Sequence, residues 1–329
     1  MGTAARIRRY AVPAIKLLVS AAFITIILRV ARAADIVNNF RTLDIPFLLA
    51  LIPLAFVVIW ISCVKWKLLL GKRRGQVSTA YLMSLYLLGY FFSNFLPSMV
   101  GGDAARGYYL GRRLDAFKAA YLSVLLERLS GLFALITLVA ALALGNHPVV
   151  RTAPGLRLLL IALTLSLTAG VVALFSKRFF RLVLRLVPAR REALRVKLER
   201  AHTALTSFRQ HPAEFALVLL LSLGFHLLAG VNLYIACRAL GAAPDLPGVI
   251  LVTPLIMLVS MIPISLNGAG LWEGSFVVCL ALLGVPESVA VSAALLLRVK
   301  TLIMSVLGWF VYLGQREKPQ VLSEVEINP

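Results

Sequence analysis

The chain has 329 residues, 60% of them hydrophobic, with 34 Lys and Arg against 14 Asp and Glu and a formal net charge of +20. Soluble domains are closer to half apolar, so an ordinary soluble enzyme is excluded. The bases flank apolar runs, which makes them topology signals facing anionic lipid rather than a nucleic-acid footprint. Zinc spacing, a glycine-rich phosphate loop and HExxH are missing from the sequence, so neither a metal nor a cofactor is expected.

Apolar runs of about 18 residues or more read as membrane spans. Six occur, at about 11–31, 44–64, 116–144, 156–175, 212–240 and 286–313. Backbone groups in lipid need internal partners, and runs this long satisfy them as helices rather than barrel strands. Arg6, Arg8 and Arg9 put the N-terminus in the cytoplasm. "ARAAD" resembles a signal-peptide cleavage site, but a retained first helix is the favoured reading. Lys65, Lys67, Lys72, Arg73 and Arg74 follow the second run and are expected inside.

The run Val77–Leu96 then starts from the cytoplasm. If it spanned, Arg106, Arg112, Arg113 and Lys118 would fall outside, against the positive-inside rule. If it turns back at "NFLPSMVGGDAARGY", those bases return inside. The sequence therefore predicts a re-entrant hairpin with its tip at Pro97, Gly101 and Gly102. Proline ends the first arm, and the glycines permit a tight reversal.

The 116–144 and 156–175 runs go out and return. Residues 177–211 carry ten Lys and Arg against two Glu, which predicts a basic cytoplasmic connector. Its stripe of Leu194, Leu198, Ala201, Leu205 and Phe208, beside Arg191, Arg195 and Arg200, reads as an amphipathic helix on the inner leaflet or as a linker packed on the protein. After 212–240, Val249–Ile262 enters and meets "MIPISLNGAGLWEGS". This predicts a second hairpin, entering from outside, with its tip at Pro263, Gly268 and Gly270. The final span leaves both termini cytoplasmic.

The two halves match. With one extra residue allowed in the second, Pro97 aligns with Pro263, Gly101 with Gly268, Arg106 with Glu273 and Arg128 with Arg298. The predicted fold is an all-α polytopic membrane protein. It is a single integral membrane domain of about six full spans plus two re-entrant helical hairpins, arranged as an inverted-topology repeat over about 44–145 and 212–314. That architecture places a binding site near the midplane.

Asp103, Arg106, Glu127, Arg128, Glu273, Arg298 and Lys300 are then expected inside the hydrocarbon layer, where each ionised group costs roughly 2.5–3.5 kcal/mol on insertion scales. One reading is mutual pairing, Arg106 with Glu273 and Glu127 with Arg128 or Arg298. The other is a substrate site: three acids against four bases leave one positive charge, and Arg suits phosphate because its planar fork holds two oxygens. Asn94, with Tyr86 and Tyr90, adds a polar stripe to the first arm, and Asn267 adds a donor at the second tip. Cys63, Cys237 and Cys279 read as packing residues. His226 reads as an interhelical hydrogen-bonding group.

At "NFLPSMVGGDAARGYYL", "LLERLSGL" and "SMIPISLNGAGLWEGSFV" the sequence resembles the lysylphosphatidylglycerol synthase transmembrane-region family of flippase-like integral membrane proteins, over about residues 10–315. Multi-domain members of that family join this region to a soluble aminoacyl-transferase domain, for which the residues after the last helix leave no room. The resemblance implies a non-enzymatic protein that moves a phospholipid or polyprenyl-phosphate lipid across a cell (plasma or inner) membrane. Two alternatives stand beside it: an accessory scaffold for an envelope lipid or glycan enzyme, and an integral membrane transferase.

Overall fold

The computed structural model describes residues 33–95, 101–151, 154–186, 212–262, 268 and 270–314, with single positions at 25 and 199. Every regular element among the described residues is helical. The first run, 11–31, apart from position 25, and the stripe residues Leu194, Leu198, Ala201, Leu205 and Phe208 lie outside the described residues.

An amphipathic helix that the apolar runs do not predict comes first, α1 (Ala33–Arg41). Ile36 packs with Val291, and the Asn39 side-chain amide donates to the Ser292 hydroxyl at 3.2 Å. The first long span, α2 (Ile45–Leu69), starts after Asp44 with a proline in its first turn, where the missing N–H costs nothing. The Asp44 backbone N–H donates to the Ala239 carbonyl at 2.8 Å.

The first hairpin is α3 (Thr79–Phe95) and α4 (Gly101–Leu114). At 17 residues, α3 is about 25 Å long, short of a hydrocarbon core of about 30 Å. The arms pack against each other. A Cβ on Gly102 would collide with the Gly89 carbonyl and the Ser93 hydroxyl, so Gly102 is what lets α4 lie against α3. Then come α5 (Phe117–Leu144), the short α6 (Pro148–Arg151), α7 (Pro154–Phe175), the basic amphipathic α8 (Lys177–Leu186) and α9 (Pro212–Ala239). The second hairpin is α10 (Leu246–Ser260) and α11 (Leu271–Ala281), and α12 (Glu287–Gly314) ends the described chain. Gly268 and Gly270 take positive φ, 72° and 82°, at the second turn.

The helices α2, α5, α7, α9 and α12 are long and apolar enough to cross a membrane; the chain is a multi-pass, all-α membrane protein. They coincide with five of the six expected spans. The second runs further than expected, to Leu69, because Lys65 and Trp66 are buried inside the protein.

The packing partners recur in pairs. The spans α2 and α9 pack on each other. The first arm α3 packs on α12, and the corresponding arm α10 packs on α5. A Cβ on Gly308 would run into the Leu87 carbonyl, which is how closely α12 approaches α3. One apolar core joins α9 to α12 with Leu51 of α2. A second joins α2 to α5 with Met304 of α12. Two helices thus tie both cores together, and a cavity lies between them.

Candidate functional site

The cavity measures about 400 Å³ and is walled by α2, α3, α4, α5, α9, α10 and α12. Its ionisable lining is Lys65, Asp103, Arg106, Glu127 and Arg128, with His226. Glu127 lies ten residues into α5, about 15 Å along its axis, so the charges sit well below a membrane surface.

Arg106 is the centre of this cluster and only 6% exposed. Its Nη2 donates to Asp103 Oδ1 at 2.6 Å and its Nη1 to Glu127 Oε2 at 3.1 Å. Its guanidinium lies 4.2 Å from the Tyr86 ring centre and 5.0 Å from that of Trp66. Those rings supply cation–π attraction where water is excluded. A Cβ on Gly89 would press on the Arg106 side chain at 3.0 Å, so the glycine makes room for it. Glu127 also accepts from the Tyr86 hydroxyl and lies 3.9 Å from Lys65 Nζ. Asp103 gives its second oxygen to Arg128 at 2.7 Å. Trp66 is fixed by its indole N–H, which donates to Ser123 at 2.9 Å.

The other predicted residues separate. Asn94 lines the cavity; its amide donates to the Ser305 hydroxyl at 2.5 Å and to the Tyr90 carbonyl at 3.1 Å, tying α3 to α12. Glu273 and Arg298 pair with each other at 2.6 Å outside the cavity lining, and Glu273 also accepts from the Gly270 backbone N–H. Arg298 stacks over Trp272. Lys300 is half-buried on α12, outside the cavity, with no ion pair among the described residues. Gly101 and Gly102 are buried at the start of α4. Pro97, Pro263 and Asn267 lie outside the described residues.

The expected pairing of Arg106 with Glu273 is therefore wrong. Asp103 and Glu273 each sit third in the helix that leaves its hairpin tip, and each meets an arginine 25 residues later. The matching register needs no extra residue: Asp103 corresponds to Glu273, and Arg106 falls opposite the buried Phe276. The pairing of Glu127 with Arg128 or Arg298 also fails. Adjacent helical residues point about 100° apart, so Glu127 faces Arg106 and Lys65 while Arg128 turns to Asp103. Lys65, expected as a cytoplasmic topology marker, is only 4% exposed and belongs to the cavity. Its place just past an apolar run concealed that role; the signal was Trp66 beside it, an aromatic that continues the helix inward. His226 does bond between helices, donating from Nε2 to the Gly131 carbonyl at 3.0 Å, and also lines the cavity.

A search of curated proteins finds no matching relative. The family model described as the lysylphosphatidylglycerol synthase TM region matches residues 14–308. A multi-pass helical bundle with broken helix pairs agrees with that match, and the chain belongs to the lysylphosphatidylglycerol synthase TM region family.

Proposed function

We propose that the protein moves a membrane lipid or lipid-linked intermediate with an anionic, phosphate-containing head group from one leaflet to the other, without chemistry on the lipid. The observation that carries this reading is the cavity in which Lys65, Arg106 and Arg128 outnumber Asp103 and Glu127. The two buried bases are matched by the two acids, and the third, Arg128, with its side chain 55% exposed, offers its positive charge to an anionic occupant. The family's connection with membrane lipid supports it.

Alternating access is the mechanism we favour. In this reading α2–α5 and α9–α12 are inverted repeats. Three long helices, α5, α7 and α9, separate the hairpins. An odd number of crossings makes the hairpins open to opposite sides, and rocking one half against the other would expose the cavity to each leaflet in turn. Positive-inside counting puts both termini in the cytoplasm of a cell with a plasma or inner membrane.

Reconstitution into liposomes with leaflet-specific lipid labels tests the reading. Wild-type protein should equilibrate an anionic phospholipid between leaflets, and Arg106→Gln should abolish this in folded protein. Equal rates for the two proteins would sink it. A scaffold for an envelope-synthesis enzyme is the second reading. It draws on α8, where Lys177, Arg178, Arg181 and Arg185 alternate with exposed Phe179 and Leu182, a basic face equally suited to an anionic inner leaflet.

A further inference from the structure

We infer that α8 is an interfacial helix that seats on an anionic leaflet at the basic end of the bundle, and that it binds lipid by net charge, away from the cavity. The inference goes beyond translocation and does not rest on it.

The backbone makes α8 an element of its own. The span α7 ends at Phe175, and Ser176 opens the next helix. Its hydroxyl accepts from the Phe179 backbone N–H at 3.4 Å, and its carbonyl accepts from that of Phe180 at 2.9 Å. A serine there satisfies a donor that a new first turn leaves open. With 10 residues, α8 is about 15 Å long, half of a hydrocarbon core of about 30 Å.

Its side chains then sort by face. Steps of about 100° put Lys177, Arg178, Arg181 and Arg185 within one arc of about 100°, and turn Phe179 and Leu182 away from it. All four bases are exposed, and none has an ion pair among the described residues. Phe179 and Leu182 are exposed as well. The helix contains no acid. A basic arc set against open aromatic and aliphatic side chains is the pattern of a helix lying in the head-group layer.

The position of α8 names the occupant. It packs on α7, which has the smallest buried share of the five long apolar helices. Phe175 rests on the small core of Leu69, Leu126 and Val218, so α8 leaves the bundle beside the last turn of α2. The same end exposes Lys72, Arg73, Arg74, Arg112, Arg113 and Lys118. Glu214, an acid at that end, is taken up by Arg74 at 3.3 Å. An anionic leaflet fits this whole face at once. It presents negative charge at the height where a span ends, and an acyl boundary for Phe179 and Leu182 just below. Because so little of α7 is held by protein, α8 fixes its depth through the one-residue joint at Ser176.

Fluorescence quenching on the full chain tests this. Leu182→Cys carries an environment-sensitive dye; Cys63, Cys237 and Cys279 are buried. The labelled protein is placed in nanodiscs of phosphatidylcholine alone, or of phosphatidylcholine mixed with phosphatidylglycerol or with phosphatidylserine. In both anionic discs the dye should shift to the blue and resist the neutral quencher acrylamide severalfold better than in phosphatidylcholine. Added salt should reverse that protection. Arg181→Gln should lower the ratio of seated to unseated dye by up to about fivefold, and replacing all four bases with Gln should abolish the difference between lipids. Equal quenching in the three lipids would overturn the inference and leave α8 to a protein partner. Protection indifferent to salt, or given by phosphatidylglycerol and not by phosphatidylserine, would overturn binding by net charge. Arg106→Gln, in the cavity, should leave the protection unchanged; its loss in that variant would move the effect to the cavity and overturn the assignment to α8. Translocation is read separately, so either reading can fail without the other.

Discussion

Arg128 reaches back 25 residues to Asp103, and both its Nε and Nη2 lie 2.7 Å from the same carboxylate oxygen. Arg298 does the same to Glu273, across the same 25 residues, at 2.7 and 2.6 Å. Each pair fastens the returning arm of a hairpin to the span that follows it. Only the first has a further cation, Arg106, on the free carboxylate oxygen. The second oxygen of Glu273 goes to the Gly270 backbone. One half therefore holds a charged cluster and the other a closed strut.

Breaking the strut should cost stability rather than selectivity. Glu273→Gln leaves a partly buried Arg298 without its carboxylate and weakens the cap of α11, a loss of about 2–3 kcal/mol. Thermal unfolding in detergent should show it, with the double variant Glu273→Gln, Arg298→Gln recovering part. Full additivity of the two single losses would mean that the pair does not act as a unit.

Tyr86 and Glu127 should be coupled. Tyr86→Phe keeps the ring against Arg106 and removes the hydroxyl, for a loss of about 1 kcal/mol. Glu127→Gln, which leaves Lys65 and Arg106 short of an anion in a buried site, should cost about 3 kcal/mol. In the double variant the Tyr86→Phe loss should shrink. An unchanged loss would place the phenol's contribution in packing alone.

Gly308 should tolerate no side chain. Gly308→Val forces α12 away from the Leu87 carbonyl of α3, a steric conflict worth roughly 1–3 kcal/mol or more. Monodispersity on size-exclusion chromatography and thermal unfolding would report it. Gly170→Ala, where a Cβ meets nothing within 4 Å, is the control and should be neutral or slightly stabilising by helix propensity.

Asp245 gives a pH-dependent prediction outside the spans. Hydrogen bonds from His147 at 2.8 Å and from the Gly248 backbone N–H at 2.7 Å hold its carboxyl below the usual range. A depressed folded-state pKa stabilises above the unfolded value of about 3.9 and is lost as pH falls through the folded value. Asp245→Ala should therefore unfold more easily than wild type at pH 7, by about 1 kcal/mol for the lost cap. The gap should narrow below about pH 4. A gap constant with pH would show that the carboxylate is not the stabilising form.

Topology is testable with two exposed positions. Gly75 follows α2 and Ala243 precedes α10. If α3 and α4 turn back within the membrane, three crossings separate these positions. Single cysteines there should then react with a charged thiol reagent from opposite sides. Cys63, Cys237 and Cys279 are buried and give little background. Labelling from the same side would mean that the first hairpin spans.

Much of this architecture was legible in the sequence because lipid imposes length and apolarity on spans. The runs at 44–64, 116–144, 156–175, 212–240 and 286–313 map onto α2, α5, α7, α9 and α12. The glycines and charges around Gly102 and Gly270 marked where helices break. The site was legible as a set of residue types, Asp103, Arg106, Glu127 and Arg128, since buried charge is too costly to be idle. Which charge meets which was decided by tertiary structure. Arg106 turns to Asp103 and Glu127 because α4 packs on α5, and Lys65 joins them because α2 continues one turn beyond its apolar run. A linear alignment cannot see this: a one-residue shift rotates a helical side chain by about 100°. Glu273 consequently faces Arg298 rather than the cavity, and His226, ordinary in sequence, bonds to the Gly131 carbonyl only because α9 lies beside α5.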